Sequence, residues 1–181
     1  MKKQRKGRRA LYNICNLFMS RIDQILDQDR LFTLDKMMQV IPEGGSKRRF
    51  YDVVNVWEGL GVVKCKMLTP RQYKWVGPAK AHKKLVELCK HGFLKFNVPP
   101  LGFKGLIQTA FHMGLYCCTL GHITTLELKK AFNTNRRVYD VVNVMKATRF
   151  MSEKKDKTYK NTFYWSPCDE ENRKEPIGVF E

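Results

Sequence analysis

The sequence contains no apolar run of the roughly 18–20 residues that a membrane-spanning helix requires. Its basic N-terminus leads into no smooth apolar stretch, because Asp23, Asp27 and Asp29 interrupt the apolar residues after it, so we expect no secretory signal. Acidic residues are also scarce, with 17 Asp and Glu against 34 Lys and Arg and a formal net charge of +17. These features predict a soluble, intracellular protein, and the excess positive charge favours a polyanionic partner.

Closely spaced metal ligands are absent as well. The six cysteines include no CxxC pair, Cys117 and Cys118 are adjacent rather than spaced, and the four histidines are scattered. This spacing predicts reduced thiols and no zinc site. The chain also lacks a P-loop, a GxGxxG fingerprint, an HExxH motif and a nucleophile elbow. We therefore predict that it is not an enzyme, with no catalytic residue, metal or cofactor.

An internal repeat organises the chain. The string RRFYDVVNV at 48–56 recurs as RRVYDVVNV at 136–144, with Phe50 against Val138 as the one difference. Each copy is followed by an alternating stretch that ends near a tryptophan, Trp75 in the first and Trp165 in the second. The chain therefore contains two copies of one structural unit.

The first copy is predicted to form three helices and a hairpin. Apolar residues from Leu11 to Leu26 follow helical spacing and indicate the first helix. Thr33 is a plausible N-cap for a second helix ending at Val40, and 42–45 is typical of a turn. Ser46 is expected to cap a third helix that Gly59 and Gly61 end. Strands at 62–67 and 72–76 complete the hairpin.

The second copy repeats this order. Its first helix is predicted from the apolar residues of 106–115, and Thr124 with Glu127 forms a possible capping box for the second. Thr134 or Asn135 is expected to cap the third helix, and a hairpin with 154–157 at its tip completes the copy. Three helices and a hairpin make a winged helix, so the predicted fold class is α+β, mainly helical, with two tandem winged helices.

Composition then sets the domain boundaries. We predict a basic N-terminal arm at 1–8 and the first winged helix at 9–77. A basic linker comes next at 78–100, with a short helix over 81–91. The second winged helix is placed at 101–166 and a short acidic tail at 167–181. The arm carries a run of cations that is compatible with a nuclear-localisation signal, a DNA-tracking arm or a solvated tail.

Paired arginines begin both third helices, and they carry the functional prediction. In a helix-turn-helix protein, the first turn of the recognition helix reaches base edges in the major groove. Arg48, Arg49, Arg136 and Arg137 lie there, although cations are unfavourable at a helix N-terminus and so require an external acceptor. Arginine forms a bidentate contact with guanine, so the four residues predict a GC-rich duplex site.

Neighbouring residues receive supporting roles. Lys47, beside the arginine pair, is also predicted to contact DNA. Tyr51 and Tyr139 fit either a phosphate contact or a structural role. Asp52 and Asp140 would repel phosphate, so we expect them to orient an arginine through a charge-assisted hydrogen bond.

This motif, followed by WEGLG at 57–61, strongly resembles the DNA-binding domain of the E-two-F/DP cell-cycle transcription factors. The resemblance covers both winged helices. It implies that the four arginines contact the central guanine–cytosine steps of a TTTSSCGC-type promoter element, and that Arg8 and Arg9 reach the minor groove beside the T-run. The second copy departs from the pattern, because MKATR at 145–149 replaces the glycine-containing ending.

Two tandem copies resemble the atypical branch of that family, in which one polypeptide imitates the heterodimer. The resemblance implies a nuclear regulator that binds one pseudo-palindromic site, with no DP-type partner required and double-stranded DNA as its partner. The few residues after Trp165 favour a repressor or competitor over an activator. The alternative is a winged-helix RNA-binding or protein-interaction module, because fold does not fix function.

Overall fold

The computed structural model describes residues 10–91, 105–132, 136–154 and 162–166. The first unit contains helices α1 (Ala10–Ser20), α2 (Ile22–Ile25), α3 (Leu34–Val40) and α4 (Lys47–Leu60), with a 3-10 turn at Pro42–Gly44. Its strands are β1 (Leu31–Phe32), β2 (Val63–Lys66) and β3 (Gln72–Trp75). Helix α5 (Pro78–Lys90) comes next. The second unit contains α6 (Leu106–Leu120), β4 (His122–Thr124), α7 (Thr125–Phe132), α8 (Arg136–Ala147), β5 (Met151–Lys154) and β6 (Thr162–Trp165).

The architecture confirms two tandem winged helices, with one addition. Each hairpin gains a third, short antiparallel strand from the segment before its second helix, giving the strand orders β1-β3-β2 and β4-β6-β5. The sequence analysis missed β1 and β4, because strands of two or three residues are too short for an alternating pattern to be visible. In both units they tie the hairpin to the helices.

The sequence predicted some helix ends correctly and others incorrectly. Thr33 Oγ1 accepts a hydrogen bond from the Lys36 backbone N–H at 3.1 Å, which confirms the N-cap of α3. Ser46 precedes α4 as expected, but its side chain makes no capping hydrogen bond. Gly61 ends α4 in the left-handed conformation at φ 82°. The role assigned to Gly59 was wrong, since this residue lies inside the helix.

The capping box of α7 is confirmed. Glu127 N–H donates to Thr124 Oγ1 at 3.2 Å, and the Thr124 N–H donates to the Glu127 carboxylate at 2.7 Å. Because the carboxylate accepts this backbone hydrogen bond, the pKa of Glu127 is lowered. The predicted cap of α8 at 134 or 135 lies outside the described residues.

The first helix of unit one differs from the single helix that was predicted. It divides at Arg21, whose backbone leaves the helical region with φ −118° and ψ 20°. The Arg21 guanidinium donates to the carbonyl of Val40 at 2.8 Å and to both carboxylate oxygens of Glu43. These partners lie far along the chain, so the apolar periodicity carried no sign of the break.

One hydrophobic core extends through both units and α5. In unit one, Trp57 packs edge-on against Phe18 and Trp75, with ring centroids 4.8 and 5.3 Å apart. Helix α5 begins at Pro78, three residues earlier than predicted, and buries Ala81 and Leu85. Its His82 ring stacks on Trp165 of the second hairpin with centroids 4.8 Å apart.

The described cysteines are free thiols. Burial raises the pKa of Cys15, and it raises the pKa of Cys117 to about 12, so both stay protonated at neutral pH. Among the described residues, no helix is both long and apolar enough to cross a membrane.

Candidate nucleic-acid interface

Helix α4 separates its residues into a buried stripe and an exposed first turn. Phe50, Val53, Val54 and Trp57 are fully buried at helical spacing. Lys47, Arg48 and Tyr51 are exposed on the opposite side, and Arg49 is half-buried. The first turn therefore presents cations and one aromatic ring to solvent, in the arrangement that major-groove recognition uses.

Helix α8 repeats this division. Val138, Val141 and Val142 are buried, whereas Arg137 and Tyr139 are exposed. The side chain of Arg136 lies outside the described part of the structure, as do Arg8 and Arg9. The contacts expected of the four arginines with guanine stay predictions. Tyr51 and Tyr139 are exposed, and their contact with phosphate likewise stays a prediction.

The orienting role of the two aspartates stays a prediction. Asp52 and Asp140 are half-buried on their helices, one turn beyond the arginines. Among the described residues, Asp52 forms no ion pair with Arg48 or Arg49. Orientation of an arginine by Asp52 would therefore have to develop on contact with the duplex.

The turn before α4 is held by tertiary contacts. The Arg21 guanidinium donates hydrogen bonds to both carboxylate oxygens of Glu43, at 2.8 and 3.0 Å. These hydrogen bonds lower the pKa of Glu43. A side chain at Gly44 would lie 2.3 Å from the ring of Phe50, so only glycine lets the turn approach α4 this closely. Together these contacts set where the first turn of α4 begins.

Lys47 already forms an ion pair in the free chain. Its Nζ lies 2.9 Å from the Asp35 carboxylate of α3, and this hydrogen bond raises the pKa of Lys47. Sequence analysis missed Asp35, because the pair forms only when the turn brings α3 against α4. The second unit has Leu126 and Asn135 at the equivalent positions, so the two units differ here.

Substituting Asp35→Asn is expected to strengthen binding to duplex DNA by about two- to fivefold, in keeping with the small worth of exposed ion pairs. In a complex with DNA, the carboxylate would compete with phosphate for Lys47 and would itself repel the DNA backbone. Released Lys47 should also steepen the log–log salt dependence by about one phosphate contact. Fluorescence anisotropy over a salt series measures both quantities.

Asp29→Asn supplies the matched control, since it removes the same charge from an exposed residue without an ion pair to any described side chain. Equal gains in the two variants would show that only net charge matters.

The two recognition helices are held by crosswise packing of the units. Helix α4 of the first unit packs against α6, the first helix of the second unit. Helix α8 in turn packs against α1, the first helix of the first unit, and α4 and α8 also contact each other. Exchange of equivalent elements across one interface is the pattern of a two-fold symmetric dimer, here formed within one chain.

Two helical glycines allow a close approach of the helices in this interface. A Cβ atom at Gly59 would fall 2.2 Å from the Ile107 carbonyl oxygen of α6. One at Gly114 of α6 would fall 3.0 Å from the Leu60 side chain. The interface thus explains why residue 59 is glycine. Gly59 does not end its helix, but it allows the backbones of α4 and α6 to come into contact. The two helices that carry Arg48 and Arg137 therefore belong to units that pack against each other.

Comparison with known proteins agrees with two tandem units. The family model described as the E-two-F/DP family winged-helix DNA-binding domain matches twice in tandem, at residues 7–77 and 82–167. The second match includes most of α5, which packs on the second unit. No curated protein and no solved structure matches the chain significantly.

Proposed function

The chain belongs to the E-two-F/DP family of winged-helix DNA-binding domains, and on this basis we propose that it regulates transcription by binding a GC-rich, TTTSSCGC-like promoter element of cell-cycle genes in the nucleus. Membership of the family makes it a DNA-binding protein that acts in transcription. Sequence specificity, target genes and the single-chain mode of binding are parts of the proposal.

The observation that carries the proposal is the crosswise packing of α4 on α6 and of α8 on α1. We infer that this packing presents the two recognition helices in the pseudo-symmetric relation that a pseudo-palindromic site requires. Because both units lie in one polypeptide, binding of the second half-site is intramolecular and proceeds at high effective concentration. We propose that the intramolecular contacts of α4 with α6 and of α8 with α1 take the place of contacts with a DP-type partner.

Recognition is assigned to Arg48, Arg49, Arg136 and Arg137 on guanine, with Lys47, Tyr51 and Tyr139 on phosphate. Arg8 and Arg9 are proposed to enter the minor groove beside the T-run. A chain that fills such an element alone would exclude heterodimers from it, so the proposed direction of regulation is repression by competition.

Stoichiometry provides the test. The chain and a duplex carrying one element, mixed at several ratios, should form a complex of one chain per duplex in sedimentation velocity without any DP-type subunit. Single-stranded RNA of equal length should compete no better than an unrelated duplex. Two chains per site, or a requirement for a second protein, would reject single-chain binding. Preference for RNA would favour the alternative module.

A further inference from the structure

Two cysteines on neighbouring helices face each other. Cys89 lies in the last turn of α5 and Cys118 in the last turn of α6. Leu85 lies four residues before Cys89, and Gly114 lies four residues before Cys118, so each pair shares one face of its helix. A Cβ atom at Gly114 would fall 3.3 Å from Leu85 Cδ1, which places these two faces in contact. One turn further along both helices, Cys89 is therefore brought to Cys118.

The contacts of the two sulfur atoms agree with this placement. Cys89 Sγ donates a hydrogen bond to the Leu115 carbonyl oxygen at 3.6 Å. Because the Cα–Cβ bonds of a helix tilt towards its N-terminus, Cys118 directs its thiol back over the turn that contains Leu115. The Cys118 thiol also forms a hydrogen bond with Cys89, and burial together with this bond raises the pKa of Cys118 to about 12. We refer to Cys89 and Cys118 as the dithiol pair.

The close approach of α5 and α6 favours a disulfide between the two sulfur atoms. A disulfide needs Cα atoms about 4.4–6.8 Å apart, whereas packed helices usually keep their axes about 8–10 Å apart. Two helices can be bridged where a small residue lets them come closer. Gly114 is such a residue, one turn before Cys118 and in contact with α5.

Exposure and position distinguish the dithiol pair from two other cysteines. Cys89 and Cys118 are half-buried, so part of each residue is open to a small oxidant. Cys117, the neighbour of Cys118, is 1% exposed and belongs to the hydrophobic core. Cys65 is also half-buried, but it lies on β2 with its sulfur 4.0 Å from Met67 Sδ. Cys117 therefore provides a control for position in the sequence, and Cys65 provides one for exposure.

We propose that the dithiol pair is a redox-modification site, which a peroxide oxidises to an intramolecular disulfide between α5 and α6. In the resting chain both residues are free thiols. Because its raised pKa keeps Cys118 protonated at neutral pH, Cys89 is the first sulfur to react. The inference goes beyond the proposed function and does not depend on DNA recognition.

The reaction proceeds in two steps. The Cys89 thiol loses its proton, and the thiolate attacks one oxygen of hydrogen peroxide. The O–O bond breaks, the other oxygen leaves with the proton as water, and Cys89 becomes a sulfenic acid. Cys118 then attacks the sulfenic sulfur, its proton joins the departing hydroxyl as a second water, and the S–S bond forms. The two sulfur atoms together lose two electrons, which reduce the peroxide.

The disulfide would reinforce the contact between the two units. Gly114 lies against Leu60 of α4 as well as Leu85 of α5, so α6 packs on both helices at this point. Joining Cys89 to Cys118 closes the chain between them and removes conformations from the unfolded state. We expect the oxidised protein to unfold about 5–10 °C above the reduced protein, from the typical stabilisation by a disulfide in a chain of this size.

The experiment treats the full chain with hydrogen peroxide, blocks remaining thiols with N-ethylmaleimide and analyses its peptides by mass spectrometry. Wild type should yield a cross-link that joins Cys89 to Cys118 and is lost on reduction with dithiothreitol. C117A and C65S should keep this cross-link and the rise in thermal midpoint, whereas C89S and C118S should lose both. Dimedone should trap a sulfenic acid at Cys89 in C118S, and none at Cys118 in C89S.

Absence of the cross-link in wild type, or a cross-link through any other cysteine, would overturn the inference. Dimers on a non-reducing gel would do the same, because the disulfide would then join two chains. A cross-link with an unchanged thermal midpoint would reject the reinforcement of the contact between the units. Wild type decides the question even where a variant fails to fold, because it is compared with its own reduced form. Since neither measurement involves DNA, failure of the proposed function would leave the result unchanged.

Discussion

Replacing Arg48 and Arg49 with alanine is expected to abolish the preference for guanine in one half-site while leaving the other half-site intact. Each good arginine–guanine pair discriminates by about 1–3 kcal/mol, so two lost pairs weaken binding to the complete element by roughly thirtyfold or more. Both residues precede the buried stripe of α4, and neither forms an ion pair with a described residue, so the fold should survive. Selection of binding sites from random duplex DNA measures the result.

The reciprocal variant, with Arg136 and Arg137 replaced by alanine, should lose the opposite half-site. A matched control is the double change of Lys83 and Lys84 to alanine, which removes two adjacent exposed cations from α5. That control should weaken binding to all sequences slightly without altering the selected site. An unchanged site preference in both arginine variants would refute the assignment of base contacts to these residues.

The second large effect is expected at the interface between the units, from Gly59→Ala. An added methyl group at residue 59 would lie 2.2 Å from the Ile107 backbone oxygen and 2.9 Å from the Ala110 Cβ. The backbone of α6 cannot move aside as the end of a flexible side chain can, so α4 and α6 must separate. Overpacking of this kind costs about 1–3 kcal/mol or more. The substitution should lower the urea midpoint and weaken binding to the two-half-site element.

Gly114→Ala is the matched control, because it makes the same chemical change in the same interface. Its methyl group would meet the flexible ends of Leu60 at 3.0 Å and Leu85 at 3.3 Å. Since alanine favours a helix over glycine by about 1 kcal/mol, this variant should be close to neutral. Equal stability of the two variants would show that α4 and α6 do not touch as closely as described.

Binding to isolated half-sites shows whether Gly59→Ala shifts the two units relative to each other or unfolds one of them. If the units remain folded but shift, affinity for one half-site persists while the gain from joining two half-sites disappears. If a unit unfolds, both are lost together. The first outcome is expected, because the Phe18–Trp57–Trp75 cluster joins elements of one unit.

The sequence by itself determined the local elements and their repetition. The motif at 48–56 and 136–144 established two equivalent units, and helical spacing of apolar residues located α1, α3, α4 and α6. Thr33 and the Thr124–Glu127 box were predictable because a cap depends on residues three positions apart. The exposed first turn of α4 followed from the same periodicity.

Only the tertiary structure decided how the units combine. The break at Arg21, the Asp35–Lys47 pair and the short strands β1 and β4 depend on partners distant in sequence. Gly59 resembles a helix end in sequence, and its contact with Ile107 exists only because α4 packs on α6. Likewise, alternation predicts exposed lysines on β2 and β3, whereas strand register alone sets Lys64 opposite Lys74. Local preferences act within a few residues, but an interface depends on the whole fold.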